Sequence, residues 1–410
     1  MIFIKRILFM SIKYRRVSLG LFMLSLTASI SAQDITNNKF GKGLQIIGAD
    51  SSFSMKFSTR FQTLYLGELN LDSDEWSDRF LVRRARLKFD GFVHDPAITY
   101  KIELGISNRD HSGGDIDQVG NTSRIILDAV VKWQATKNWS IWFGQTKLPG
   151  NRERVISSQK LQFVDRSLLN SRLNIDRDIG VQVRHENSIG EKGVLKKMFS
   201  LSMGEGRNII SANTGGYDFT YRLEYLPFGN FQSSGDYFAS DLKRESRPML
   251  AIGLTYDINK DAARQRGQLG NFVLDSNGNQ FATDLSTIFA DFMFKYNGFS
   301  VMGEYGNKTS SEDIFATLDN GSTIKYVTGE AINLQAGYLF KGNSELALRY
   351  TSLSPDNITF SGLREEKQYT LGYSKYIVGH SLKIQSDFSY LDRTGSSNKL
   401  VYRFQVEVSF

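Results

Sequence analysis

From residue 53 to residue 410 the chain repeats one pattern: apolar and polar side chains alternate over nine to twelve residues, the alternation breaks, and then it resumes. Successive side chains of a strand point to opposite faces, so each such segment is a strand with one apolar and one polar face. Residues 53–67 set Phe53, Met55, Phe57, Phe61 and Tyr65 against Lys56, Arg60 and Gln62. Residues 97–107 set Ile98, Tyr100, Ile102, Leu104 and Ile106 against Lys101 and Glu103, and residues 380–391 set Leu382, Ile384, Phe388 and Tyr390 against Lys383, Gln385 and Asp387. About sixteen segments follow this rule, near 53–67, 80–93, 97–107, 123–134, 138–147, 178–187, 197–204, 217–226, 248–258, 285–297, 298–306, 328–340, 343–353, 367–377, 380–391 and 399–410.

The breaks alternate too. Short ones fall at His94-Asp95-Pro96, at 135–137, at Asn297-Gly298 (a strong hairpin signal), at Lys341-Gly342 and at Val378-Gly379. Long ones fall at 68–79, 108–122, 148–177, 205–216, 259–284, 307–327, 354–366 and 392–398. An up-and-down sheet with one trimmed and one elaborated rim gives this order. The stretch 227–247 breaks it, being about twenty residues where a tight turn belongs.

A soluble sandwich also alternates, but its strands average about five or six residues. Here they have the length that a tilted strand needs to cross a bilayer. Aromatics cluster near segment ends, at Tyr65, Trp133, Trp139, Trp142, Tyr225 and Tyr390, where a membrane girdle would stand. A strand in lipid must pair both edges, so the sheet must close. The expectation is an all-β, transmembrane, antiparallel up-and-down barrel of about sixteen strands over 53–410, preceded by a short periplasmic segment, 33–52. Mean hydropathy is −0.30, which leaves no room for a bundle of membrane helices.

The first 32 residues read as a signal peptide. Lys5, Arg6, Lys13, Arg15 and Arg16 precede an apolar run at 17–30, and a cut after Ala32 fits. Those five cations make up most of the formal +7, and removing them leaves +2. Partners must therefore be argued from where charges sit, and no nucleic acid is expected. The chain has no cysteine, so no disulfide or thiolate chemistry. It ends on Phe410 in an alternating strand, which resembles the terminal signal that outer-membrane barrels present to their assembly machinery. Export, then, is to a bacterial outer membrane, with its lipid as the surrounding partner.

If Ala85, Leu87 and Phe89 face lipid, then Arg84, Arg86, Lys88 and Asp90 face the lumen. An arginine on the lipid face at mid-depth costs roughly 2–4 kcal/mol, which forces that parity. Arg60 and Lys101 join them from neighbouring strands. Such a wall can pass an anion along, and arginine suits phosphate because it is planar, permanently charged and bidentate. The alternative is a wall neutralised by Glu103, Asp128, Glu186 and Glu224, which share the inward parity. The third long connection, 148–177, carries Arg152, Arg154, Lys160, Arg166, Arg172 and Arg177 against Glu153, Asp165 and Asp176. It also carries Ile156, Leu161, Phe163, Leu168 and Leu169, too many apolar groups for a wet rim. It is read as a constriction loop folded into the barrel, with packing on a neighbouring subunit as the alternative.

No catalytic or cofactor site stands out. Asp275, Asn277 and Asn279 have the spacing of a calcium loop, but Ser286 stands where its glutamate belongs. His94, His111, His185 and His380 show no metal-ligand spacing. An outer-membrane enzyme would need a nucleophile or acid pair that the sequence does not offer. A receptor or adhesin would rest on loops 259–284 and 307–327.

Two stretches go further. R-F-L-V-R-R-A-R-L-K-F-D-G at 79–91 is one. The other runs from F-G-Q-T-K-L-P-G at 143–150 through S-S-Q-K-L-Q-F-V-D-R-S-L-L-N at 157–170 to R-D-I-G-V-Q at 177–182. Together they resemble the phosphate-selective porin O/P family, and L-P-F-G at 226–229 with G-D-Y-F at 235–238 adds to the likeness. The resemblance implies a sixteen-stranded homotrimeric porin whose third long loop folds inward. It also implies lumenal arginines and lysines that pass small anions such as phosphate. A non-selective general porin is the runner-up. The family's full arginine ladder does not align here, and the long helical N-terminal extension of some members is missing.

Overall fold

A computed structural model describes residues 39–107, 110, 124–274, 280–311, 326–356 and 363–410. The signal segment, His111 and the Asp275–Asn279 stretch lie outside the described residues. Sixteen long strands close into one antiparallel barrel, and a short seventeenth is appended. The short one is β1 (Leu44–Ile47). The first half of the barrel is β2 (Ser54–Asn70), β3 (Glu75–Val93), β4 (Asp95–Gly105), β5 (Ile126–Gln134), β6 (Trp139–Lys147), β7 (Arg177–Ile189), β8 (Gly193–Ser202) and β9 (Asp218–Leu226). The second half is β10 (Met249–Ala262), β11 (Thr283–Tyr296), β12 (Phe299–Ser310), β13 (Gly329–Leu339), β14 (Ser344–Pro355), β15 (Glu366–Val378), β16 (Leu382–Arg393) and β17 (Lys399–Ser409).

Each strand pairs with the next, and β17 returns to β2 in register from Lys399 opposite Asn70 to Ser409 opposite Arg60. Phe410 completes the seam by exchanging two backbone hydrogen bonds with Thr59, at 2.7 and 3.0 Å. Beyond that point β1 takes over the edge of β2, with Leu44 opposite Phe57 and Ile47 opposite Ser54. Closure leaves no strand of the barrel with a bare edge in lipid.

The outer face is apolar across the strand middles. Leu348, Leu371 and Phe388 lie side by side on β14 to β16, each 47–64% exposed. Exposure of that size on a continuous band is what a lipid-facing belt requires. Tyr350, Tyr369 and Tyr390 stack beside one another toward the long-loop end, with ring centroids 5.2 and 6.3 Å apart.

Three local expectations change. The break at 68–79 is a hairpin of only four turn residues, because β2 runs to Asn70 and β3 starts at Glu75. Leu69 stands opposite Trp76, so apolar cross-strand pairing extends the strands past the bilayer. Second, Trp142 is not a girdle residue. It shares the inward parity of β6, opposite Lys132 and Gln182, while its neighbour Phe143 is 67% exposed on the outer face. Third, strict alternation fails at Arg83. A bulge lets Gln62 oppose Arg84 and Thr63 oppose Val82, leaving Arg83 as the extra residue. Arg83 and Arg84 are therefore both turned in and buried, which spares the lipid face an arginine.

The lumen is largely filled. Residues 148–177 enter from the long-loop rim as α1 (Arg152–Val155) and α2 (Leu168–Leu173), joined by a 3-10 turn at Ser158–Lys160 and irregular chain. Ile156 and Leu161 pack on inward-facing Met249, Ala251, Met293 and Met302. Leu169 and Leu173 pack on Phe289, Ala331 and Leu353. The irregular 227–247 stretch enters from the other rim. Its Phe231 joins the first apolar cluster, and the Ala239 amide donates to the Lys160 carbonyl at 3.0 Å. Its unexpected length is explained: it is a second inward element that meets the first.

Gly372 on β15 faces inward directly against Phe163, and a Cβ there would stand 2.8 Å from the ring. Gly372→Val is expected to push residues 161–165 off the wall while the barrel stays closed. Single-channel conductance should then rise by about half or more, with heat-modifiable gel mobility retained. Unchanged conductance would mean that this contact does not set the loop's position.

Candidate functional site: the lumen and its charges

The inward elements divide the lumen unequally. Inward polar groups on the β9–β16 side are sealed: Glu224 is 0%, Lys295 1%, Glu345 1% and Asp387 2% exposed. On β3 and β4 the side chains of Lys88, Asp90 and Lys101 are 37%, 32% and 25% exposed. Lys132 on β5, Trp142 on β6 and Arg184 on β7 are half-buried, whereas Asp128, Thr146, Arg177 and Gln182 nearer the long-loop rim are buried, so the open passage runs along β3 to β7 past these three side chains. A recess of about 400 Å³ opens there, lined by Ser54, Lys88, Asp90, Tyr100, Lys101 and Lys132 among others.

The sealed side is held by ion pairs. Arg152 is fully buried. Its Nε donates to Asp291 at 2.7 Å, Nη1 to the Asp236 carbonyl at 3.1 Å and Nη2 to Glu224 at 3.3 Å. Arg222 binds the same two carboxylates at 2.6 Å each, so two guanidiniums and two carboxylates form a neutral square. Charges this deep survive only when paired and hydrogen-bonded. Glu153 accepts from the Ser167 amide and hydroxyl, and Arg349 stands 3.7 Å from it. Asp165 sits among Arg83 at 2.5 Å, Arg84 at 3.4 Å and Arg403 at 3.9 Å. Burial pushes its carboxyl up, but the three guanidiniums outweigh that and hold it well below the ordinary carboxylate range.

The nine cations picked out from the sequence occupy different settings. Arg60 reaches Glu407 at 3.4 Å and Ser158 at 3.1 Å. Arg84 donates to Gln62 at 2.7 Å besides its pair with Asp165, and Arg86 pairs with Asp110 and stands 3.8 Å from Glu103. Lys101 pairs with Glu103 at 2.7 Å and Asp128 at 2.6 Å. Lys88 is met by Asp90 at 2.7 Å in an exposed position. Arg154 pairs with Asp176. Arg166 donates to the carbonyls of Glu153 at 2.9 Å and Ile156 at 2.7 Å. Lys160 has no carboxylate partner among the described residues, and its Nζ lies 3.6 Å from the centroid of Phe238. Arg152 belongs to the sealed seam and not to the passage. Of the carboxylates weighed as the neutralising alternative, Glu103 meets Arg86 and Lys101, Asp128 meets Lys101 and Glu224 meets Arg152, while Glu186 meets none of the nine. Other carboxylates pair Arg60, Arg84, Lys88 and Arg154, so Arg84 and Arg86 do not form a bare ladder.

Two cation groups escape sequence reading. Lys132 and Arg184 flank Trp142 on the passage wall, with Lys132 Nζ 3.7 Å and Arg184 Cζ 3.8 Å from ring centroids. Their inward parity could have been read from β5 and β7. At the long-loop rim stand Arg124, Arg172, Arg207, Arg264 and Arg266. Arg207 donates to the Arg124 carbonyl at 3.2 Å, and Arg266 to the Ser171 carbonyl at 2.6 Å. Arg264 donates to the carbonyls of Gly270 at 2.6 Å and Glu205 at 2.5 Å. Arg124 Nη2 and Arg172 Nε are buried with no partner. Among the described residues none of the five pairs with a carboxylate. Burial, then repulsion from Arg124 and Arg266, brings Arg264 down to about 10. Arg172 belongs to the 148–177 loop and Arg124 to the start of the 123–134 segment, while Arg207, Arg264 and Arg266 lie in loops that show no periodic signal, so only the fold gathers the five.

A closed barrel with a lipid-facing belt, a wet lumen and loops that narrow it is a membrane diffusion channel. The chain belongs to the phosphate-selective porin O and P family, whose model matches residues 61–406. Family and fold together imply the bacterial outer membrane. An uncharacterised protein of Aquifex aeolicus (strain VF5) is 23% identical over 385 residues, covering 87% of each chain. An anion-selective porin from Comamonas acidovorans superposes with a TM-score of 0.53 at 11% identity, covering 87% of this chain and all of its own. The outer membrane channel DcaP of Acinetobacter baumannii does so with 0.52 at 13%, covering 88% and 98%. At these identities the two structures share the fold.

Burial, then repulsion from Lys88 and Lys101 partly offset by Asp236, lowers Lys160 to about 8. A free lysine holds its proton to about 10.4. Between these values the unfolded chain binds more protons, so this group's cost to stability is present below pH 8 and fades as pH rises through the window. The ratio of anion to cation permeability should fall as pH passes about 8, measured as reversal potential from pH 6.5 to 9.5. Lys160→Arg should flatten that fall, and an unchanged inflection in the variant would assign it to another group.

Proposed function

We propose that this porin passes small hydrophilic solutes by passive diffusion and prefers anions of the phosphate type. The observation that carries this reading is the rim cluster, Arg124, Arg172, Arg207, Arg264 and Arg266. Its guanidiniums rest on backbone carbonyls or have unpartnered nitrogens, and not on carboxylates, among the described residues. Like charges gathered with no carboxylate bound directly to them among the described residues create a field that draws anions to the mouth. Guanidiniums then offer planar, bidentate donors to a phosphate. Further along, the passage is lined by Lys88, Lys101 and Lys132 in a recess open to water. Weak contacts at several successive sites let an anion enter and also leave. Sequence reading places Arg60, Arg84, Arg86, Arg152, Arg154 and Arg166 in the anion path. Their pairings favour a framework role for these six, with Lys88, Lys101 and Lys160 left to the passage.

The same proposal includes a cleavable signal at 1–32, a periplasmic segment at 33–52, recognition of Phe410 by the barrel-assembly machinery, and a homotrimer. In this orientation the short turns and Phe410 face the periplasm, and the arginine rim faces outward.

The first test is planar-bilayer recording of the refolded protein under a potassium chloride gradient, with phosphate then added. A reversal potential on the anion side, with phosphate blocking chloride current, is the expected result. Arg264→Gln with Arg266→Gln should weaken phosphate block at least threefold at low salt, and less at 1 M salt, where charges are screened within about 3 Å. A channel without selectivity or block would leave a general porin.

A further inference from the structure

We propose that Trp142 sets the ion preference of the passage by holding Lys132 and Arg184 as cations with no carboxylate partner. The inference rests on the anion-preferring reading above and deepens it. Lys132 stands directly opposite Trp142 on β5, and Arg184 reaches the indole from β7 on the other side of β6. The ring is thus flanked by a cation from each neighbouring strand, at 3.7 and 3.8 Å. The remaining contacts of Arg184 are neutral: Nη2 donates to Gln182 at 2.7 Å, Nη1 approaches the Met198 sulfur at 3.4 Å, and Nε has no partner.

The distinction is one of charge, not of contact strength. A carboxylate that holds a cation cancels it as seen by a passing ion. An aromatic face holds a cation through its quadrupole and carries no net charge, so the full positive charge remains in the field of the passage. The nearby carboxylates are already engaged. Asp128, on the same face of β5, takes Lys101 and Arg177. Glu224 takes Arg152, Arg222 and the Tyr237 hydroxyl. Glu186, two residues beyond Arg184, accepts from Asn230 at 3.0 Å. The same device recurs on the inward loop, where Lys160 rests on Phe238. Lys132, Arg184 and Lys160 thus differ from Lys88 and Lys101, the passage cations that Asp90, Glu103 and Asp128 hold. The ligand that such a wall favours is a small oxyanion, with inorganic phosphate as the probe.

The test compares wild type with Lys132→Gln/Arg184→Gln, Trp142→Glu and Trp142→Phe in bilayers. The readouts are the anion-to-cation permeability ratio and phosphate block, with heat-modifiable mobility as the check on folding. Removing both cations should lower the ratio at least threefold. Trp142→Glu should lower it as far, because it places a carboxylate between the two cations. Trp142→Phe keeps a π face and should stay within twofold of wild type. If Trp142→Glu fails to fold, the double variant and Trp142→Phe decide the matter. A folded double variant with unchanged ratio overturns the inference and leaves selection to the rim arginines. A wild type with no anion preference overturns the anion reading itself, and this inference with it.

Discussion

A bilayer interior offers no water to an unpaired N–H or C=O, and everything else in this molecule is arranged around that fact. It obliges β17 to find β2 across most of the chain's length, and Phe410 to pair with Thr59 at the last residue. Once the sheet is closed, period-2 alternation sorts every side chain to lipid or lumen. Where that sorting would have put Arg83 into lipid, the strand bulges and turns it in with Arg84. The same bulge gives Asp165 two guanidiniums to bind, so a repair on the lipid side becomes an anchor for the inward loop.

Closing a barrel of sixteen strands leaves an interior too wide for its own wall side chains to fill. Two connections fill it from opposite rims and meet at Lys160 and Ala239. Their apolar groups find an apolar patch on β10 to β14, Arg152 finds Glu224 on β9 and Asp291 on β11, and Glu153 and Asp165 find Arg349 on β14 and Arg403 on β17. What remains open is the β3–β7 side, where Lys88 and Lys101 keep carboxylate partners while Lys132 and Arg184 rest on Trp142. The lumen thus separates charges that build from charges that face solutes, and burial distinguishes the two.

The alternating segments were legible as sixteen strands because a two-faced strand writes its parity into every second residue. Tyr350, Tyr369 and Tyr390 form the kind of aromatic band expected near strand ends. The inward loop was legible from Ile156, Leu161 and Leu169, which had no business at a wet rim. Trp142 was misjudged because a tryptophan near a strand end reads as a girdle residue unless its parity is followed against Phe143. The break at 68–79 was overlong because Asp72, Ser73 and Asp74 look like loop, while Leu69 and Trp76 across the turn continue the pairing. Of the rim arginines only Arg172 was singled out in the sequence, and their gathering was not legible, since residues from four connections share no period and meet only in space.

Sequence alone determined the class of structure: strand length, alternation and aromatics near strand ends admit a transmembrane barrel and little else, because solvation by lipid on one side and water on the other acts on each residue separately. The tertiary structure alone decided which charges are free. Whether Arg84, Arg152 or Lys132 carries an uncompensated charge depends on Asp165, on Asp291 and Glu224, and on Trp142, partners from other strands and loops. Electrostatic neutralisation acts over a few ångströms in space, and distance along the chain carries no record of it.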